Sequence, residues 1–407
     1  MIMSSDLFQK EEINYRALYG KLFSGLLGQF GANYVSEIED AIQNSFLKSL
    51  KIWNEKSTPD NIENWLFIVA RNDVLNQIKT RYKQSNLEPF ELSDDNQVSE
   101  NEKDLRLQTI IFIASLGIIS TQAKITFILK NIFGLSIDEI HNCTLLNRES
   151  IYKSINRTKK SILQEYELKQ TDIQTISANQ TTISIIEEIL YAVFNIGFDS
   201  FNDKTEEIVN KDLCLETFSL TKLLFKSFNF DTTSNLLAIF SLHTARIPAK
   251  IEKGKLISFF NQKREKWNQE LFQLGLQFIT KPKSTNKFYI EALIVTKYMT
   301  VDNFTENDWN DIVNLYEILQ QVSSSSIVKL NYCYVLSKAG KTELALKILS
   351  KVEKELPNEH TYFNLVKAKI VRETNPIESN SLIKAIINKL NQKIRKEYLL
   401  ENELIHL

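Results

Sequence analysis

Four polar side chains between residues 72 and 83 recur at the spacing of one helix face. They are Asn72, Asn76, Lys79 and Lys83, separated by four, three and four residues. This spacing places all four on the same side of an α-helix. An Asn side chain can make two hydrogen bonds to the edge of an adenine base, and a Lys amine binds a phosphate. The face therefore has the chemistry to bind a DNA strand.

The same helix is predicted to carry further positive charge and two aromatic candidates for base contact. Residues 71–83 hold four basic residues, Arg71 and Arg81 among them, and one acidic residue, a net charge of +3. Exposed aromatic rings stack on the unpaired bases of an opened strand, so Trp65 and Tyr82 are candidates for that contact. Helical periodicity places Tyr82 in the core and leaves Trp65 undecided. The predicted buried stripe of this helix comprises Ile68, Leu75, Ile78 and Tyr82.

A second polar surface lies upstream, in the segment from Ile13 to Trp53, where apolar residues recur at the spacing of at least two helices. Its acidic and amide side chains are Glu39, Asp40, Gln43 and Asn44. Taken alone, such a stripe indicates no more than a solvated helix face. Pro59 ends this segment, and Asp60 or Asn61 is predicted to cap the next helix.

A helix-turn-helix pattern follows between residues 105 and 166. After two predicted buried helices, Ser136 and Glu139 form a capping box, and Asn147 caps a basic helix. A short helix, a turn and a basic helix are typical of a unit whose second helix enters the major groove of DNA. The polar and basic residues predicted to face DNA on that helix are Arg148, Glu149, Lys153, Asn156, Arg157, Lys159 and Lys160.

An acidic segment separates the two basic units. Ser85–Asp104 contains seven acidic residues against Lys103, a net charge of −6, together with Pro89. This composition predicts a flexible linker.

Two motifs resemble region 2 of bacterial sigma factors, the subunits that direct RNA polymerase to promoters. They are Asp40-Ala41-x-Gln43-x-x-Phe46 and, about twenty residues later, Trp65-Leu66-x-x-x-Ala70-Arg71-Asn72. With the helix-turn-helix behind an acidic linker, residues 10–166 resemble the extracytoplasmic-function sigma factors, which retain only regions 2 and 4.

This resemblance implies roles for the polar surfaces. Core RNA polymerase would bind Glu39, Asp40, Gln43 and Asn44. Promoter DNA would be read at the −10 element by Trp65, Arg71, Asn72, Asn76, Lys79, Arg81 and Lys83, and at the −35 element by the helix from Arg148 to Leu163. The acidic linker would run through the polymerase channels, or it is an inert spacer. The family pattern Arg-Asn-x-x-x-Asp-x-x-Arg departs here, because Asn76 replaces the acid and Lys79 the final arginine, so promoter preference is expected to differ from that of relatives.

The chain continues for about 240 residues beyond Tyr166. Three of its segments resemble the middle domain of a sigma-factor group with a long carboxy-terminal extension: Tyr191–Phe198, His243–Arg246 and Gln262–Trp267. Lys263 stands where that group usually has an acid. Four polar or aromatic residues here are open to two interpretations, a ligand site or paired core residues. They are His243, Arg246, Arg264 and Trp267.

The last part of the chain fits one tetratricopeptide unit, from about Ser326 to Pro357, with Gly340, Ala345 and Leu349 at its key positions. Phe288–Gln321 and His360–Leu390 resemble degenerate neighbours. Stacked units would offer a surface to a protein partner, or they are structural bulk. The predicted organisation is 10–84 for region 2, 85–104 for the linker, 105–166 for region 4, 167–182 for a second linker, 183–281 for a helical middle domain and 286–407 for the tetratricopeptide-like domain.

Composition sets the fold class. The chain has 407 residues but only 10 Gly and 6 Pro, and its apolar residues recur at spacings of three and four, which predicts an all-α protein of two or three domains. Its three cysteines lie far apart and make no metal-ligand spacing with histidine, so neither a metal nor a cofactor is expected. The longest apolar run, Thr109–Ile119, falls short of the roughly 20 residues of a membrane span, and no secretory signal is evident. A cytoplasmic protein without a membrane partner is expected.

The predicted function is an alternative sigma factor with a fused helical extension for regulation or protein interaction. Its partners would be core RNA polymerase, promoter DNA and, through the extension, a regulatory protein. An enzyme is not expected, because the sequence contains no recognisable nucleophile with its base, carboxylate pair or Gly-rich phosphate loop. The rival is a helical tetratricopeptide scaffold whose sigma-like amino terminus no longer reads DNA. The amide at Asn76 and the net charge of −1 favour that rival.

Overall fold

The protein is all-α, as its composition predicts. A computed structural model describes residues 14–53, 58–85, 105–143, 146–169, 173, 176–199, 208–356 and 360–405. These residues form nineteen α-helices and one two-stranded antiparallel sheet, in which Ile251 lies opposite Leu256. Residues 86–104, most of the predicted acidic linker, lie outside the described residues, as does Pro357.

The chain divides into two compact units, unit 1 (Met1–Ile189) and unit 2 (Leu190–Leu407), and the division falls within one helix. The helices of unit 1 are α1 (Tyr15–Phe30), α2 (Val35–Ile52), α3 (Ile62–Ser85), α4 (Arg106–Ser115), α5 (Thr121–Asn131), α6 (Ile137–Cys143), α7 (Arg148–Lys169) and the first half of α8 (Gln180–Phe198). A 3₁₀ turn, Ala32–Tyr34, joins α1 to α2.

The predicted helix starts of unit 1 are confirmed in atomic detail. Asn61 accepts a hydrogen bond from the backbone N–H of Asn64 at 2.9 Å, and Asn147 accepts one from Ser150 at 2.8 Å. Ser136 and Glu139 form the capping box in both directions, at 2.7 and 3.2 Å. Each cap satisfies a donor that the first turn of a helix leaves without a partner, which is why short polar side chains mark these positions.

The register of α3 differs from the prediction at one position. Ile68 keeps 41% of its surface exposed, so it is not part of the buried stripe, whereas Ile78 is buried as predicted. Leu75 and Tyr82 are half-buried. The apolar run from Trp65 to Ala70 exceeds one helix face, and packing on α2 selects which of its members turn inward. The buried residues of α3 include Leu66, Phe67, Ala70, Val74 and Ile78.

Unit 2 is a second helical body. After the end of α8 it contains α9 (Lys211–Phe228), α10 (Asp231–Ala245), α11 (Ile247–Lys250), β1 (Ile251–Glu252), β2 (Lys255–Leu256), α12 (Gln269–Phe278), α13 (Lys287–Thr300), α14 (Glu306–Val322), α15 (Ser326–Lys338), α16 (Thr342–Val352), α17 (Thr361–Val371), α18 (Pro376–Lys389) and α19 (Lys393–Asn402). Single 3₁₀ turns occupy Phe259–Asn261 and Arg264–Lys266. Helix α10 is buried along almost its whole length because α9, α12 and α13 pack around it.

Three successive helix pairs follow in unit 2: α13 with α14, α15 with α16, and α17 with α18. The middle pair coincides with the predicted tetratricopeptide unit. Gly340 adopts a φ of +76° between α15 and α16, a left-handed conformation that favours glycine. Ala345 and Leu349 are buried against α15.

Among the described residues, α8 alone has the length and apolar composition of a membrane span, a test that core helices of soluble proteins also pass. Half of its most apolar 18-residue window is buried inside the protein. The cytoplasmic location therefore stays a prediction.

Candidate nucleic-acid interface

The amide and amine face of α3 is open to solvent. Asn72, Asn76, Lys79 and Lys83 are all exposed, as is Arg81 on the opposite side of the helix. Arg81 donates to Glu37 of α2 at 2.8 Å. Arg71, in contrast, is 9% exposed, so it cannot contact a phosphate in this conformation. The structure thus exposes five of the seven predicted −10 residues, four of them on one face of α3, and buries Arg71.

Trp65, the remaining member of that set, is half-buried at the start of α3. Its ring contacts Trp53 edge to face, with centroids 4.8 Å apart. At the other end of α3 the hydroxyl of Tyr82 lies 3.3 Å from that of Tyr34. Burial, followed by this hydrogen bond, raises the pKa of Tyr34 to about 12. Trp65 and Tyr82 are therefore anchored on their inner side, which leaves only part of each ring for a base.

The predicted polymerase surface on α2 has three exposed members, Asp40, Gln43 and Asn44. The Asn44 amide donates to Asp73 of α3 at 2.8 Å, which ties this surface to α3. Two leucines that sequence reasoning did not assign to the site extend it. Leu47 and Leu50 are 56% and 66% exposed, and they follow Gln43 at helical spacing. Adjacent large apolar side chains in solvent are typical of a surface that binds another protein.

Helix α7 exposes six of the seven predicted −35 residues: Arg148, Glu149, Lys153, Asn156, Arg157 and Lys160. Arg148 donates to Asp138 of α6 at 2.6 Å, which fixes the end of α7 against the preceding helix. Tyr152, which sequence reasoning missed, is 54% exposed between these residues. The available signal was its spacing of four from both Arg148 and Asn156. His141 and Leu146 close the turn between the two helices with a 2.7 Å contact from the His141 Nδ1 atom.

The seventh residue of that set, Lys159, behaves differently. Its amine forms an ion pair with Glu39, the half-buried member of the predicted polymerase surface. Their side chains are only 22% and 13% exposed. One residue of the −35 set and one of the polymerase set are therefore brought into direct contact and withdrawn from solvent together.

The contact between α2 and α7 belongs to a larger interface. It joins the two modules, residues 10–84 and 105–166, that the sequence predicts as separate. A Cβ atom added to Gly20 of α1 would lie 1.8 Å from the carbonyl oxygen of Ile132, just after α5. Phe23 and Phe127 pack edge to face beside it, with centroids 6.1 Å apart. Tyr19 donates to Asn131 at 3.4 Å, and burial strongly raises the pKa of its hydroxyl. The two modules share one core in this closed arrangement.

In unit 2, the sequence left four residues open to interpretation as a ligand site or as paired core residues. Two of them, Arg264 and Trp267, have structural partners. Arg264 pairs with Asp302 at 2.5 Å and donates to the carbonyl oxygen of Val301. Its guanidinium also lies 5.3 Å from the ring centre of Trp267, which is 6% exposed. Arg264 and Trp267 are thus explained by packing and pairing.

The other two, His243 and Arg246, lie in a different group. Arg246 donates to Gln262 at 3.3 Å and to the Nδ1 atom of His243 at 3.5 Å. No carboxylate of the described residues lies within ion-pair distance of Arg246. Burial, and then the charges of Arg246 and Lys250, lower the pKa of His243 to about 3, so its imidazole is neutral near pH 7. In the part of the chain that the structure describes, no cluster of His, Cys, Asp or Glu could hold a metal ion.

Comparisons with known proteins show similarity to proteins whose function is not described. A protein-family profile described as a family of unknown function (DUF6596) matches residues 183–283, which include most of α8 and helices α9 to α12. An uncharacterized protein of Rhizobium meliloti (strain 1021), R00370, is 25% identical over 341 residues, which is 80% of each chain. No solved structure matches this chain. The 341 residues matched in the rhizobial protein exceed the length of either unit, so the similarity extends over parts of both.

Proposed function

We propose that the chain is an alternative sigma factor that directs core RNA polymerase to specific promoters and carries a fused helical extension. One observation carries the proposal: the amide and amine face of α3 and the basic face of α7 are both exposed, at the positions that the resemblance assigns to promoter contacts. Amides can read base edges, and the flanking Lys and Arg residues can bind phosphates.

The surface of α2 supports the protein-binding half of the proposal. Asp40 and Gln43 lie beside the exposed Leu47 and Leu50, a mixture of polar and apolar groups that suits a protein interface. Asn44 links this surface to Asp73 on the −10 helix, so docking there would position α3 relative to the polymerase.

The closed arrangement of unit 1 would then be an inactive form. Elements at −10 and −35 lie about 25 base pairs apart, which is roughly 85 Å of B-form DNA. A compact unit of the length of unit 1 has a radius of gyration of only about 16 Å. The two modules cannot cover both elements while they share a core. Promoter binding therefore requires the Lys159–Glu39 pair and the packing around Gly20 to separate.

The helix pairs of unit 2 would supply a surface for a regulatory protein, as stacked tetratricopeptide units do. No catalytic role is proposed for either unit. The extension is expected to influence the balance between closed and open forms, and removal of it is expected to change promoter output.

The test is co-purification of the full chain with core RNA polymerase, followed by run-off transcription from a promoter library. Sequence-selected transcripts that depend on this protein would support the proposal. Polymerase binding without transcripts would point to inhibition by the closed form. Absence of polymerase binding would favour the rival, a helical scaffold, which should also lack the salt dependence of a DNA reader, a slope of about 0.9 per phosphate contact.

A further inference from the structure

A group of charged side chains in unit 2 has more positive than negative charge. It comprises Arg246 at the end of α10, Lys250 of α11, Arg395 of α19 and Asp199 after α8, and is called the cationic cluster below. Lys250 lies 3.6 Å from Asp199, and Arg395 pairs with the same carboxylate oxygen. The single negative charge of Asp199 can balance only one of the two positive charges at Arg246 and Lys250. The other positive charge has no counterpart within the cluster, even when Arg395 is not counted.

Arg246 is the member without a carboxylate of its own. Its acceptors are neutral, the amide of Gln262 at 3.3 Å and the imidazole of His243 at 3.5 Å. Both contacts are long for hydrogen bonds to a charged donor. A guanidinium has five N–H donors, so most of those on Arg246 have no acceptor among the described side chains.

Aromatic rings hold the Arg246 guanidinium in place. Its central carbon lies 4.1 Å from the ring centre of Phe259 and 5.8 Å from that of Phe198. The Lys250 amine lies 3.9 Å from the Phe198 ring centre and donates to the Phe198 carbonyl oxygen at 2.6 Å. Ring faces attract cations but do not neutralise them. Both cations are thus fixed in position and remain charged.

Burial makes these cations costly. It lowers the pKa of Arg246 to about 9 and that of Lys250 to about 8, and in both cases the attraction of Asp199 offsets only part of the effect. Asp199 itself keeps a pKa below its ordinary value, because Lys250 and Arg395 outweigh the effect of its partial desolvation. A buried charge normally persists only with a partner, and the described residues do not supply one for Arg246.

The cluster is nevertheless accessible from solvent. The Asp199 side chain is 46% exposed, and His243 and Arg246 are half-buried, whereas Lys250 is 8% exposed. Part of Arg246 therefore remains open to solvent. Because His243 is neutral near pH 7, its ring adds no charge to the cluster.

We propose that the cationic cluster is a binding site for the oxyanion group of a small molecule, a carboxylate or a phosphate, with Arg246 as the main contact and Lys250 supplying additional positive potential. The planar fork of Arg246 suits either group, since both offer two oxygens at matching separation. This site does not depend on the proposed transcriptional role, and the two can fail separately.

The experiment is a titration of the full chain with inorganic phosphate and, separately, with acetate, at constant ionic strength set with sodium chloride. Binding is followed by calorimetry and by the melting temperature of unit 2. Three variants accompany the wild type: Arg246→Met, which removes the charge at similar volume, Arg246→Lys, which keeps the charge without the fork, and Lys329→Gln. The last is the matched control, because Lys329 has its own carboxylate, Glu355, at 2.7 Å.

Saturable binding is expected for the wild type and Lys329→Gln, with a rise in melting temperature of about 5–10 °C at a hundred times Kd for a unit of this size. Arg246→Met should lose the rise, and Arg246→Lys should bind at least about tenfold more weakly. The anion that binds more tightly identifies the group. The proposal is overturned if neither anion binds the wild type, or if Arg246→Met responds as strongly as the wild type. If Arg246→Met does not fold, the comparison of wild type with Arg246→Lys decides.

Discussion

Lys159 of α7 and Glu39 of α2 form an ion pair that joins two helices 120 positions apart in the chain, and each residue comes from a different predicted binding surface. The second carboxylate oxygen of Glu39 is buried and has no hydrogen-bond partner. A pair with so little solvent is strongly attractive but also costly to desolvate. It therefore holds α2 and α7 together at a cost in desolvation.

A double-mutant cycle on this pair should show coupling. Replacing Glu39 by Gln, or Lys159 by Met, leaves the other charge buried without a partner and should lower the free energy of unfolding of unit 1. The double variant should lose less free energy of unfolding than the two single variants lose together, with a coupling energy of about 1–3 kcal/mol. Urea denaturation of the full chain measures this. The exposed i,i+4 pair Glu149–Lys153 on the same helix is the matched control, and it should couple by less than about 0.5 kcal/mol. Additive effects at Glu39 and Lys159 would show that the contact does not hold the modules together.

Gly20→Ala should separate the two modules. A Cβ atom at this position would lie 1.8 Å from a backbone oxygen, which no side-chain rotation can relieve. Small-angle scattering should report a larger radius of gyration for the variant, and transcription with core polymerase should rise if the closed form is inactive. Gly117→Ala is the control, because nothing lies within 4 Å of its Cβ position. An unchanged radius in Gly20→Ala would mean that α1 shifts locally and the modules stay closed.

The sequence predicts the local features of this protein well because local chemistry determines them. Asn61, Asn147 and the Ser136–Glu139 box cap helices with backbone groups only three residues away, so the pattern alone is sufficient. The exposure of Asn72, Asn76, Lys79 and Lys83 likewise follows from helical spacing. The exposure of Ile68 does not, because it depends on how α3 packs on α2.

The long-range features could not be predicted in the same way. The Lys159–Glu39 pair and the approach of Gly20 to Ile132 depend on how two modules meet, and neither leaves a local pattern. In unit 2, the pairing of Arg395 with Asp199 joins residues about 200 positions apart. Only the fold brings them together.

Asn72→Ala and Asn76→Ala should weaken promoter binding in a sequence-dependent manner. Each lost amide contact to a base should cost about 1–3 kcal/mol for the matching site and little for other sequences. Lys79→Gln should instead weaken binding to all sequences and reduce the salt slope by about 1. Binding of single-stranded and duplex promoter libraries at several salt concentrations distinguishes the two. Lys48→Gln, an exposed charge on α2 outside the predicted faces, is the control. Equal losses across all sequences for the Asn variants would argue against base reading.

Leu47→Ser and Leu50→Ser should weaken polymerase binding without unfolding the protein. Both leucines are more than half exposed, so their loss should change the free energy of unfolding by less than about 0.5 kcal/mol. Removal of apolar contact area at a protein interface should still reduce co-purification with core polymerase. Ile118→Ser is the matched control, since Ile118 is 67% exposed in the same unit but lies outside α2. Identical co-purification of all three variants would place the polymerase surface elsewhere.

His243 should make unit 2 less stable in mild acid. Its pKa is lowered to about 3 in the folded protein, chiefly by burial, from an ordinary value near 6.5. Between these values the unfolded chain binds a proton that the folded chain does not, so stability is complete above about pH 6.5 and decreases as the pH falls. One such proton contributes a slope of at most about 1.4 kcal/mol per pH unit. Urea denaturation from pH 7 to pH 4 should therefore show a steeper decline for the wild type than for His243→Asn, whatever the absolute stability of the variant. Parallel pH profiles would show that His243 takes up its proton in the folded protein and is not held neutral there.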